Sequence, residues 1–331
     1  MDHWSRRRFV QGASMAGLGL LAGCGRLPGQ AQAPERAARI GLLAGPPPVY
    51  REALLQGLRD IGYTEGQHFV VENRAVDASD ERLPEVAREL TRLPVDVIVV
   101  ANTAAAQAAQ RATSTIPIVF IRLSDPVGTG LVASLARPGG NATGLSDLGA
   151  ALASKRLELL IETVAGTTRL AVLINPADPA SNREWAETEA AVRALAIEPL
   201  LLESRSASEL ENALNTAVRE HADALLMVAS GVVERELARV ADFTTKARLP
   251  TAYGDKRYAE QGGLMAYGPN QAQIFRRAAY YVDRILKGAK PADLPVEQPR
   301  EFDFVINLKT AQALGLTIPQ HVLLQATEVI Q

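Results

Sequence analysis

Short continuous apolar runs recur along this chain, each closed by glycine, proline or a polar residue. Between them lie stretches with apolar residues every three or four positions. Residues 39–44 (RIGLLA), 96–101 (DVIVVA) and 116–121 (IPIVFI) have the length and composition of buried strands, and residues 68–76 supply a further strand. Helices are predicted over 50–61, with Ala53, Leu54, Leu58 and Ile61 on one face, over 80–93, and over the Ala-rich 103–112. A short helix is predicted over 130–136. A turn cluster follows at Pro138-Gly139-Gly140-Asn141, and 142–145 form a short strand leaving this region.

The pattern then restarts. Strands are predicted over 169–175, 198–203, 222–228, 250–253, 262–267 and 302–307. Helices are predicted over 153–164, 181–195, 207–220 with Ser206 as N-cap, 232–247, 271–286 and 308–314, the last closed by Gly315. Strands alternating with helices of this length build βαβ units and parallel sheets. The fold class is therefore α/β, with two doubly wound parallel-sheet (Rossmann-like) lobes. The first is expected over 39–147, completed by part of 270–331, and the second over 148–269. Crossing hinge segments are expected near 146–149, 267–270 and 295–302. Ligands of open α/β sheets bind outside the carboxyl ends of the strands, and in a two-lobed chain both sets of ends can face one cleft.

Residues 1–24 read as an address rather than as structure. Arg6, Arg7 and Arg8 precede an apolar stretch from 9 to 22 that is too short to span a membrane. Ser5-Arg6-Arg7-Arg8-Phe9-Val10 resembles a twin-arginine export motif, and Leu21-Ala22-Gly23-Cys24 resembles a lipobox whose cysteine is lipidated. A cleaved signal with an incidental cysteine is the alternative. Residues 25–38 have tether composition. Gly17-Leu18-Gly19-Leu20-Leu21-Ala22 has the spacing of a dinucleotide fingerprint, but it lies in the export signal and follows no strand.

Composition narrows the chemistry. Lys+Arg is 35 and Asp+Glu 37, a net charge of −2, which argues against a nucleic-acid partner. One cysteine and four dispersed histidines leave no internal disulfide framework and no metal site of ordinary spacing. P-loop, G-x-S-x-G and H-E-x-x-H motifs are absent, so neither a cofactor nor a catalytic residue is assigned. What remains is a set of polar residues at strand ends: Asn102 and Thr103; Arg122, Ser124 and Asp125; Asn175, Asp178 and Ser181; Ser230; Tyr253 and Tyr267. Helix capping explains Asn102, Ser181 and Ser230 equally well. Asp125 is suited to a ligand ammonium.

Several segments together carry a family resemblance: Gln56 to Gly66 (QGLRDIGYTEG), Ala112 to Phe120 (ATSTIPIVF), Asp125 to Val132 (DPVGTGLV), Leu135 to Asn141 (LARPGGN), Lys155 to Leu160 (KRLELL), Gly262 to Gly268 (GGLMAYG) and Ala289 to Pro299 (AKPADLPVEQP). The chain resembles substrate-binding proteins of ABC transporters, in the group that includes tryptophan- and tyrosine-binding lipoproteins. The resemblance implies the type I periplasmic-binding-protein architecture and capture of a small, amino-acid-like molecule between the lobes. It also implies a monomer held at the membrane by an N-terminal lipid, with an ABC permease and its ATPase as partners. On it, the ligand-binding residues would be Thr103, Asp125, Asn175, Tyr253 and Tyr267. A ligand-sensing module for a membrane receptor and an exported α/β hydrolase stay open as alternatives on the same scaffold.

Overall fold

A computed structural model describes residues 36–76 and 81–331, so the segment expected to be an export signal, with Arg6, Arg7 and Cys24, lies outside the described residues. The first lobe runs β1 (Ala38–Leu43), α1 (Pro48–Asp60), β2 (Phe69–Arg74), α2 (Leu83–Arg92), β3 (Val97–Val100), α3 (Thr103–Ala112), β4 (Ile118–Leu123) and β5 (Ala142–Ser146). These strands form a parallel sheet of order β2-β1-β3-β4-β5. Every residue of β3 is buried, because helices cover both faces.

The second lobe opens with α4 (Gly149–Thr163) and continues β6 (Arg169–Ile174), α5 (Pro179–Ala194), β7 (Glu198–Glu203), α6 (Ala207–Arg219), β8 (Ala224–Met227), α7 (Gly231–Arg235), α8 (Leu237–Lys246), β9 (Thr251–Tyr253), α9 (Arg257–Glu260) and β10 (Met265–Pro269). The chain then enters α10 (Gln271–Leu286), returns as β11 (Phe302–Asn307), and ends through α11 (Leu308–Leu314), α12 (Gln320–Leu323) and β12 (Glu328–Ile330). The seven strands order as β12-β11-β10-β9-β8-β6-β7, and only the β10–β11 pair is antiparallel. The antiparallel pair arises because β11 re-enters from the opposite direction after α10.

Helix α10 belongs to the first lobe's core. Ile274, Phe275, Ala278, Val282 and Ile285 pack with Leu54, Leu58, Val97 and Val119. Gly57 allows the close approach: a β-carbon there would fall 2.3 Å from the Arg276 carbonyl oxygen. The three crossings run side by side. Leu145 bridges Glu297, the Ser146 N–H donates to the Glu297 carbonyl (2.9 Å), and the Asn270 N–H donates to the Glu301 carbonyl (2.9 Å). The first and third crossings pair in parallel and the second and third antiparallel, so hydrogen-bonded segments join the lobes where a hinge can bend without breaking either core.

Two local expectations fail. Residues 130–136 are not helical but part of an irregular loop from 124 to 140. Leu131 and Val132 are buried, and their N–H groups both donate to the Pro126 carbonyl, while Gln110 donates to the Leu131 carbonyl (3.0 Å). Apolar spacing there marks anchors into the core, not a helix face. The single helix expected over 232–247 is broken at Glu236, so that α7 and α8 point differently.

Candidate functional site

Between the lobes lies a cavity of about 420 Å³, inside the ~300–1,000 Å³ range of small-molecule sites. Its walls come from the carboxyl ends of strands in both sheets. The first lobe supplies Gly45 to Pro48 after β1, Asn102 and Thr103 after β3, and Arg122 and Ser124 at the end of β4. The second supplies Asn175 and Asp178 after β6, Ser181 and Glu184 on α5, Ser230, Glu234 and Arg235 after β8, and Arg257. Asp147 reaches the same cavity from the first crossing.

Helix amino termini point here for a local reason. Asn102 Oδ1 accepts from the Ala105 N–H (2.8 Å), Asp178 Oδ1 from Ala180 (2.9 Å) and Ser230 Oγ from Val233 (3.3 Å). Each side chain closes the first turn of the helix that follows its strand, which leaves the backbone polar and turned toward the cleft.

Arg122 shapes the centre of the site. It sits at φ 62° in the left-handed region, and the β4–β5 register shifts between Ile121 and Leu123. The bulge turns a charged side chain out of an otherwise apolar strand. Its guanidinium donates to Glu234 of the other lobe, and both side chains are nearly buried. Burial opposes the arginine's charge, but Glu234 outweighs it and holds the proton. Ala44, which lines the cavity, and Leu148, just before α4, share the left-handed conformation (φ 48° and 58°). Such positions cost on the order of 1–3 kcal/mol each and persist only where the surroundings hold them.

Two further bridges join the lobes. The Tyr50 hydroxyl donates to Asp255 (2.8 Å) and accepts from Arg257 Nε (3.1 Å), and Arg257 also pairs with Asp255 (2.7 Å). Burial and Asp255 push the Tyr50 hydroxyl far above its usual range, so it stays protonated and donates. At the rim, Arg183 pairs with Asp125 (2.6 Å), with both side chains partly exposed.

Beneath the cavity, Arg156 fastens the second lobe to the crossings. It donates to Glu184 (2.7 Å), to the Gly149 carbonyl of the first crossing (3.1 Å) and to the Tyr267 carbonyl of the second (3.0 Å). Burial raises the proton affinity of Glu184 and Arg156 opposes that rise.

Of the residues expected to bind ligand, Thr103 and Asn175 line the cavity. Asp125, Tyr253 and Tyr267 do not. Asp125 is tied to Arg183 and to the Gly128 N–H (2.7 Å). Tyr253 is wholly buried in the second lobe's core, and its hydroxyl has no hydrogen-bond partner among the described residues. Tyr267 packs against Phe302 and Phe304. Arg122 was among the strand-end candidates but was not assigned to the ligand, and Asp147, Glu184, Glu234 and Arg257 were not anticipated. The signal for Arg122 is a charge placed between Ile121 and Leu123 in a buried run.

The family model described as ABC transporter substrate binding protein matches residues 49–330. The chain belongs to this family. The tyrosine-binding protein of Clostridioides difficile (strain R20291) is 24% identical over 266 residues, covering 80% of this chain and 76% of that protein. The crystal structure of a conserved domain protein from Vibrio cholerae has a TM-score of 0.82 at 28% identity, covering 89% of this chain and all of that one. A Streptococcus pneumoniae ABC domain in complex with L-Trp has a TM-score of 0.81 at 26% identity, again covering 89% of this chain and all of that one. This substrate-binding protein therefore has the type I periplasmic-binding-protein fold, with its cavity between the two lobes.

Proposed function

We propose that the protein is the extracytoplasmic solute-binding component of an ABC importer. It captures an amino-acid-like solute between its lobes and presents it to a permease with its ATPase. The observation that carries this reading is the polar cavity between the lobes, crossed at its centre by the buried Arg122–Glu234 pair. Solute contacts made from both sides favour the closed arrangement, and the ligand's differential affinity for the closed state drives closure. Thr103 and Asn175 are proposed as direct contacts. The tyrosine- and tryptophan-binding relatives support an amino-acid-like cargo.

The role is binding rather than catalysis. Capture for transport must be reversible, and the buried Arg122–Glu234 and Arg156–Glu184 pairs serve to join the lobes and to fix the hinge. Export through Arg6 and Arg7, with lipidation at Cys24, would hold the protein near its permease and raise its effective concentration there.

The test is native mass spectrometry of the purified protein, followed by a thermal-shift screen of L-amino acids. A co-purified or stabilising amino acid supports the reading, since binding to the folded state alone raises apparent stability by mass action. A shift only with sugars or nucleosides would remove the amino-acid cargo. In cells, Cys24→Ala should release the exported protein from membranes, and retention of that variant would overturn the anchor.

A further inference from the structure

The cavity's charges do not balance. Its lining holds Arg122, Arg235 and Arg257 against Asp147, Asp178, Glu184 and Glu234. Arg122 is taken by Glu234, Arg257 by Asp255 outside the lining, and Arg235 is engaged as well. Glu184 in turn is taken by Arg156 from beneath. Asp147 and Asp178 are left over. Each accepts a backbone N–H, from Gly149 (2.9 Å) and Ala180 (2.9 Å), and neither forms an ion pair among the described residues.

Asp147 is the more telling of the two. It is 7% exposed and lines the cavity, and the Arg122 guanidinium whose charge it shares there is already paired with Glu234. A buried carboxylate without a counter-charge is costly, and proteins normally pair it or supply a ligand. Asp178 shares the same space. Burial raises its proton affinity, and the negative charge of Asp147 raises it further.

We propose that the cavity selects solutes carrying an ammonium group, held between Asp147 on the first crossing and Asp178 at the start of α5. The inference rests on the cavity being the solute site. It moves the carboxylate that recognises the solute from Asp125, which Arg183 neutralises at the rim, to the hinge side of the cleft. The arginines of the lining are spent, so a solute bearing only a carboxylate finds negative charge and no free guanidinium. An ammonium group completes the pairing when the lobes close and water leaves, where a charge-assisted hydrogen bond is strongest.

The experiment is isothermal titration of the purified full-length protein with matched probes: L-tyrosine and L-tryptophan, tyramine, and 3-(4-hydroxyphenyl)propanoate, together with lysine, putrescine and D-ribose. At least one ammonium-bearing probe is expected to bind, and the carboxylate lacking the ammonium is expected not to. Asp147→Asn and Asp178→Asn should each weaken the bound probe by about 10- to 100-fold, while the ligand-free melting temperature stays near that of the parent. Asp125→Asn should leave affinity within about twofold, as a rim pair does. Equal binding of the probe without an ammonium would overturn the proposal, as would unchanged affinity in the Asp147→Asn, Asp178→Asn double variant. If a variant fails to fold, the probe series on the unaltered protein still decides. Binding of D-ribose alone would keep the solute-binding role and sink the ammonium site. Binding of no compound, with none retained in native mass spectrometry, would remove the solute reading itself and this inference with it.

Discussion

Arg156 and Arg122 are both arginines buried against a glutamate beside the cleft, yet they do opposite work. Arg156 and Glu184 belong to one lobe, and the guanidinium's other donors close on carbonyls of two crossings. No motion of one lobe against the other parts that pair. Arg122 and Glu234 come from different lobes, so their pairing exists only while the lobes are together. The first pair is part of the fold. The second is part of the conformational equilibrium, and the left-handed backbone at Arg122 is the strain that aims it.

The difference predicts unequal costs. Replacing Arg156 with Met leaves Glu184 buried without a counter-charge in every folded state. A loss of about 3–5 kcal/mol of unfolding free energy is expected, read from urea denaturation. A loss below ~1 kcal/mol would mean that Glu184 simply takes up a proton there.

Glu234→Gln should behave differently. The lobes can open and return Arg122 to water, so opening caps the penalty on stability. Unfolding free energy should fall by less than about 1 kcal/mol, while the ligand-free radius of gyration rises in small-angle scattering. Solute affinity should drop about tenfold, because fewer molecules occupy the binding-competent arrangement. A destabilisation matching that of Arg156→Met would erase the distinction between the two pairs.

A milder effect comes from pH. Asp178 has its proton affinity raised by burial, with Asp147 and Glu234 adding to the rise and the Ala180 N–H and Arg122 opposing it. A carboxyl raised in the folded protein takes up its proton at a higher pH than an ordinary one. Affinity for an ammonium-bearing solute should therefore begin to fall, on acidification, above the usual carboxylate range. Calorimetry at stepped pH checks this, and a flat profile down to that range would detach Asp178 from the solute. The smallest effect is at the rim. Arg183→Ala removes a partly exposed, salt-screened pair and should cost about 0–1 kcal/mol. An effect on affinity as large as that of Glu234→Gln would move the closing contact from the centre of the cleft to its edge.

Much of the fold could be read from residues alone. Val97 to Val100 and Leu170 to Ile174 are continuous apolar runs because helices cover both faces of their sheets. Ser206 read as a cap and Asn102, Ser181 and Ser230 as caps or ligand contacts; Asn102, Ser206 and Ser230 each accept the N–H of a cap, whereas Asp178 caps α5 and Ser181 lies inside it. The loop from 124 to 140 was misread because buried apolar anchors at Leu131 and Val132 imitate a helix face. The site was less legible. Thr103 and Asn175 follow apolar runs directly and could be placed at strand ends. Asp147 lies in a crossing with no periodicity, and Glu234 resembles any polar residue on a helix. Tyr253 looked like a rim residue but closes β9 inside the core.

The sequence by itself determined the alternation of strands and helices, and with it two α/β lobes whose strand ends meet at a cleft. That information is local, since it resides in the spacing of apolar residues, in caps and in turn-forming glycines and prolines. Only the tertiary structure decided which charges cancel. Arg122 finds Glu234 112 residues away, Tyr50 finds Asp255 205 residues away, and Asp147 is left without an ion pair among the described residues because the nearby Arg122 is already taken by Glu234. Charge pairing at such separations is set by how two lobes close, which no stretch of neighbouring residues encodes.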